Sequence, residues 1–184
     1  MMGALGANAP TVAENDGTVG SVVFADTSNV LSSDESRASV ILLLGQQSQY
    51  LKATGFVFGI PLDAAVVGIE VEWERSGSLV SASVDAACRL VKAGTPVGDD
   101  RSLGGTWPTT DAFQTYGGPT DLWGTTWTPA EINAAGFGAA LSVSAVLAVT
   151  AGVDAVRATI YYLGSNRAAL GTRFRVGDGM SVSG

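Results

Sequence analysis

Histidine is absent from all 184 residues, cysteine occurs once, and lysine appears only as Lys52 and Lys92. Each gap excludes something. Without histidine the chain lacks both the commonest general base and the commonest metal ligand. A lone Cys88 cannot close an intrachain disulfide, so the fold must stand on packing. Basic residues number 10 against 17 acids, giving a net charge of −7 and a pI near 4.4. Nucleic acid is a poor partner for such a body, because binding it needs clustered cations to displace phosphate counterions. Long apolar runs are missing too. Residues 40–44 (VILLL) are too short to span a bilayer, and residues 1–10 carry neither the positive start nor the apolar stretch of a signal peptide. The expectation is a chain made in the cytoplasm, with no membrane partner.

What is present is a vocabulary of turns and small β-formers: 24 glycines, with abundant Ala, Ser, Thr and Val. Residues 1–36 are poor in aromatics and read as an extended N-terminal arm. Its single apolar island, Val22, Val23 and Phe24, offers at most one short strand. Residues 37–163 form the body. Residues 39–44 read as a strand covered on both faces. In residues 67–75, Val67, Ile69, Val71 and Trp73 alternate with Glu70, Glu72 and Glu74, the period-2 mark of a half-buried antiparallel strand. Residues 84–92 repeat this, with Val84, Ala86, Cys88 and Leu90 inward and Asp85 and Arg89 outward. Thr128, Pro129 and Glu131 spell an N-cap, a first-turn proline and an acid for one short helix, stopped by Gly136. Two further alternating strands follow. One carries Phe137, Ala139, Leu141 and Val143 on its apolar face. The other carries Val156, Ala158, Ile160 and Tyr162. The fold class expected is all-β: an antiparallel β-sandwich of about eight strands with one short helix. Residues 164–184 form a C-terminal tail that is basic where the body is acidic, with Arg167, Arg173 and Arg175 flanking Phe174.

Chemistry is hard to find. Asp99, Asp100, Asp111 and Asp121 supply oxygen ligands of the type Ca²⁺ takes, yet their spacing matches no EF-hand loop and turns favour aspartate anyway. Glu70, Glu72 and Glu74 project the same way from one strand, whereas a glycosidase needs acids on two sides of its substrate. They read as a solvated face, paired across strands with Arg89 or Arg157. Cys88 points inward and reads as a small core hydrophobe. With no base beside any Ser or Thr, the chain is expected to be no enzyme and to need no metal or cofactor. Trp107, Tyr116, Trp123 and Trp127 lie in one loop-rich region. Exposed, they would stack on sugar rings and make this a glycan-binding module; buried, they would plug the open end of the sandwich.

Several blocks of the body are distinctive in combination. They are residues 50–56 (YLKATGF), Ile60-Pro61, residues 68–71 (GIEV) with Glu74-Arg75-Ser76, residues 90–98 (LVKAGTPVG), Trp107-Pro108, Tyr116-Gly117-Gly118, Leu122-Trp123-Gly124 and Trp127-Thr128-Pro129. With Phe137-Gly138 and residues 153–162 they resemble a domain of tailed-phage and prophage structural proteins, a likeness that covers about residues 29 to 163. The resemblance implies a jelly-roll-like sandwich and a setting in the virion, decorating or attached to a capsid, with capsid proteins and further copies of itself as partners. Alternatives are a fibre module that binds a glycan or receptor, or a tail, neck or baseplate subunit. The ends outside the likeness are where partner specificity is expected: Val22, Val23 and Phe24 in the arm, and Arg167, Arg173, Phe174 and Arg175 in the tail. Removing residues 1–28 should then leave the sandwich folded.

Overall fold

The computed structural model describes residues 1–164. The tail residues Arg167, Arg173, Phe174 and Arg175 therefore lie outside the described residues.

Among the described residues, ten strands form two antiparallel sheets. They are β1 (Met2–Asn8), β2 (Val12–Asp16), β3 (Ala38–Leu42), β4 (Tyr50–Thr54), β5 (Ala65–Gly77), β6 (Ser83–Lys92), β7 (Thr95–Val97), β8 (Ala112–Gly118), β9 (Gly138–Ala145) and β10 (Val149–Leu163). The pairs β6–β7, β5–β8, β4–β9 and β3–β10 nest inside one another. The chain is thus one long hairpin rolled up so that sheet A runs β3-β10-β5-β8 and sheet B runs β4-β9-β6-β7. That is the eight-strand jelly roll the sequence predicts.

Alternation explains which side chains meet between the sheets. Ile69, Val71 and Trp73 of β5, together with Val156, Ala158 and Ile160 of its neighbour β10, face Leu141 and Val143 of β9 and Cys88 and Leu90 of β6 in one buried cluster. Gly138 lets β9 lie tight against β4, since a Cβ there would drive into the carbonyl of Ala53. The helix α1 (Pro129–Asn133) begins with a full capping box between Thr128 and Glu131, as its sequence dictates. No helix among the described residues is long and apolar enough to cross a membrane.

Three expectations need correction. Residues 1–36 are not an arm apart from the body. β1 pairs with β10 beside β3, and β2 pairs with the edge of β4. The Asn15 side chain then holds the Phe24 backbone through two hydrogen bonds, accepting from its N–H (2.8 Å) and donating to its carbonyl (2.9 Å). Lys52 pins β2 from below, bonding Asp16 (3.0 Å) and Glu14 (3.1 Å). Val22–Phe24 forms no strand of its own, although Val22 makes a single parallel bridge to Ser48. Second, β3 is not covered on both faces: Val40 and Leu42 are buried, but Ile41, Leu43 and Leu44 are exposed. Third, bulges shift two alternations. An extra residue at Val67 puts Val66 inward instead, and one at Ala86 turns Asp85 inward.

The built-in arm reverses the deletion expected from sequence. Removing residues 1–16 opens the edges of β4 and β10 and uncovers Lys52. The shortened chain should unfold at a lower urea midpoint and associate through the freed edges. A truncated chain that unfolds at the parent's midpoint, and stays monomeric in analytical ultracentrifugation, would show that β1 and β2 contribute nothing.

Candidate functional site

In a jelly roll, alternate connections gather at one end. Here those are the β3–β4, β5–β6 and β9–β10 loops and part of the long β7–β8 loop. Backbone hydrogen bonds sew them together. Gly45 N–H donates to the Ala145 carbonyl (2.8 Å), Val146 N–H to that of Ala82 (2.8 Å), Ser78 N–H to that of Thr150 (2.8 Å), and Gly77 N–H to that of Pro108 (2.8 Å). All four of these bonds run between backbone groups.

The side chains at this tip are apolar and bare. Ile41 is 72% exposed, Leu44 71% and Val80 69%, and Leu43, Leu79, Val146 and Leu147 join them. Residues 38–51, 76–84 and 136–153 contain no charged residue at all. A molecule of net charge −7 thus ends in a neutral aliphatic cap. Scattered apolar residues on a surface need no explanation, but seven gathered on three interlinked loops and the adjoining end of β3 form the kind of patch that marks an interaction site. Beside it, between the β5–β6 and β7–β8 loops, lies a hollow of about 370 Å³ lined by Val80, Ser81 and residues 106–110.

The sequence signal for this surface was the run VILLL, read as core; only the tertiary fold shows three of its five residues outside. Of the arm residues singled out for partner binding, Phe24 is buried in the core and Val22 packs against it, while Val23 stays exposed. The arm's apolar island therefore serves mainly its own sandwich.

The four loop aromatics are brought together by burial, not display. Trp107, Tyr116, Trp123 and Trp127 all belong to the central cluster, so none offers a face to a sugar. Trp107 and Tyr116 end on Asp85. Trp107 Nε1 donates to Oδ1 (2.7 Å), while the Tyr116 hydroxyl (2.8 Å) and the Leu103 N–H (2.9 Å) donate to Oδ2. Arg75 completes the network, donating from Nε to the Tyr116 hydroxyl (3.0 Å) and stacking its guanidinium 4.9 Å from the Trp107 ring centre. Burial, with the Asp85 charge beside it, pushes the Tyr116 phenol far up. Cys88 is buried as its alternation implies, and burial raises its thiol well above the ordinary range, which leaves it a poor nucleophile.

The loop carboxylates do not converge. Arg37 holds Asp111 and Arg101 holds Asp121, lowering both carboxyls, while Asp100 caps the N–H groups of Cys88 and Ser102. Among the described residues no three such groups come together around one point. Of the glutamate stripe, Glu72 makes a two-bond pair with Arg157 (2.7 and 3.0 Å), as alternation anticipates. Arg89 turns away to the Gly98 carbonyl. Partial burial, then the neighbouring Glu72, raise the Glu70 carboxyl. No protein-family model, curated protein or solved structure matches this chain.

Proposed function

We propose that this chain is a non-catalytic virion structural protein that docks by its apolar tip onto an apolar patch of a phage capsid or a larger particle component. The neutral aliphatic cap carries the reading. An acidic body repels acidic surfaces everywhere except where its charge is absent, so the tip is the part of the molecule that meets a protein lattice without an electrostatic cost. The jelly-roll body and the sequence blocks that resemble phage structural proteins support the setting. Rigid loops suit such a role, since they lose little freedom on docking. Repetition over a lattice then converts modest affinity into firm attachment.

The test is cosedimentation with particles assembled from the capsid protein of the phage or prophage that encodes the chain. The parent chain should bind saturably. A Leu44→Asp/Val80→Asp/Leu147→Asp variant alters only exposed positions, so its stability should stay within about 0.5 kcal/mol. Its affinity should fall about 30-fold or more, as for loss of an interface hot spot. Equal binding by parent and variant, or no binding by either, would overturn the proposal.

A further inference from the structure

A second surface has a different chemistry. On the outer face of sheet A, Ser39 of β3, Gly152 of β10 and Ser76 of β5 lie in one row. Gly152 leaves a dip in that row. Arg37 leans across it so closely that a Cβ on Gly152 would sit 2.8 Å from its Cδ. The result is a trough of about 350 Å³, floored by glycine and walled by Arg37 and by the hydroxyl-bearing residues Ser39, Ser76, Ser78, Thr109 and Thr150. Its size falls within the range of small-ligand sites.

The guanidinium is held in place. Its Nε donates to both oxygens of Asp111 (2.9 and 2.8 Å), and Nη2 reaches Glu35 (3.3 Å) and Asp111. Ser76 donates to the same Asp111 (2.6 Å), and the Ser78 hydroxyl accepts from Thr150 N–H (3.0 Å). Nη1 is unclaimed by these partners. Arg37, Ser76 and Ser78 are thus held in place, beside the hydroxyls of Ser39, Thr109 and Thr150.

Charge decides what fits. Arg37 answers Asp111 and Glu35, and the buried Asp154 adds its field, so three acids surround one cation. An anion entering here would meet net repulsion, which excludes phosphate and sugar acids. Hydroxyl groups, each both donor and acceptor, match the lining without a charge. We infer that the trough binds a neutral hexose unit of a glycan, through vicinal hydroxyls bonded to Arg37, Thr109 and Thr150. With no aromatic platform in the walls, affinity for one unit is in the millimolar range, and attachment to a glycan-coated surface comes from many copies on one particle.

The full chain, labelled with ¹⁵N, is titrated with neutral methyl hexosides and, separately, with N-acetylneuraminate and inorganic phosphate. Amide shifts at Ser39, Thr150 and Gly152 are expected with at least one hexoside and with neither anion. Thr150→Val, an exposed position, should weaken binding roughly tenfold with an unchanged thermal midpoint. Gly152→Val should fill the dip and abolish it. Silence towards every hexoside, preference for an anion, or binding untouched by both substitutions would overturn the assignment. The readout needs no particle, so it stands apart from the docking test.

Discussion

Asp85→Ala should destabilise the fold by about 3–5 kcal/mol, the cost of removing one partner from a buried charge network. The magnitude follows from what remains behind. Asp85 is buried and accepts from Trp107, Tyr116 and the Leu103 backbone, with the Arg75 guanidinium 3.7 Å away. Alanine would strand all of these donors and leave a buried cation without a counter-charge. Asp85→Asn keeps the shape but not the charge, and it should cost less. Replacing both ions, as Arg75→Met with Asp85→Leu, should recover part of the loss, because it removes the uncompensated buried cation while the Trp107, Tyr116 and Leu103 donors still lack their acceptor. Urea unfolding of the four proteins measures this. A cost below about 1 kcal/mol for Asp85→Ala would mean that the network is incidental to stability.

Trp123→Ala should cost a similar amount, about 3–5 kcal/mol, from lost burial and the cavity left behind. Trp123 has no solvent exposure, and its Nε1 donates to the Ile69 carbonyl (3.0 Å), tying the β8–α1 loop to β5. Trp123→Phe preserves most of the packing and gives up that bond, so about 1–2 kcal/mol is expected. Thermal and urea unfolding provide the comparison, and parent-like stability of Trp123→Ala would contradict the buried placement. One practical point follows. Loss of glycan binding on mutating this tryptophan would report unfolding and not a sugar site, whereas the Arg37 trough can be altered from the surface.

The fold was legible where alternation ran unbroken. Glu70, Glu72 and Glu74 lie outside and Ile69, Val71 and Trp73 inside, as period 2 requires. The helix could be read to within two residues, because Thr128, Pro129 and Glu131 each satisfy a separate demand of a helix start. What failed did so for identifiable reasons. A bulge inserts one residue without changing the composition, so Asp85 read as outward although its carboxylate anchors the core. β1 and β2 carry almost no apolar pattern, because they are edge additions held by backbone pairing and by Lys52, which local sequence does not encode. The candidate sites were hidden more deeply. The tip joins loops far apart in sequence, and the trough depends on a missing side chain at Gly152. The aromatic residues drew attention through their chemistry, but their place was settled by packing.

The 15-residue β10 is the axis of sheet A, flanked by β1 and β3 along one side and by β5 along the other. It is also the last of the described strands to leave the ribosome. Until it emerges, β5 can pair only with β8, β1 has no partner strand, and β3 has only the bridge between Ser39 and Ala25, so sheet A cannot close during translation. Folding is therefore expected to finish after synthesis has passed residue 163, in one late and slow step set by long-range pairing. A nascent chain stalled before residue 149 should remain sensitive to protease and recruit chaperones, as bare strand edges do.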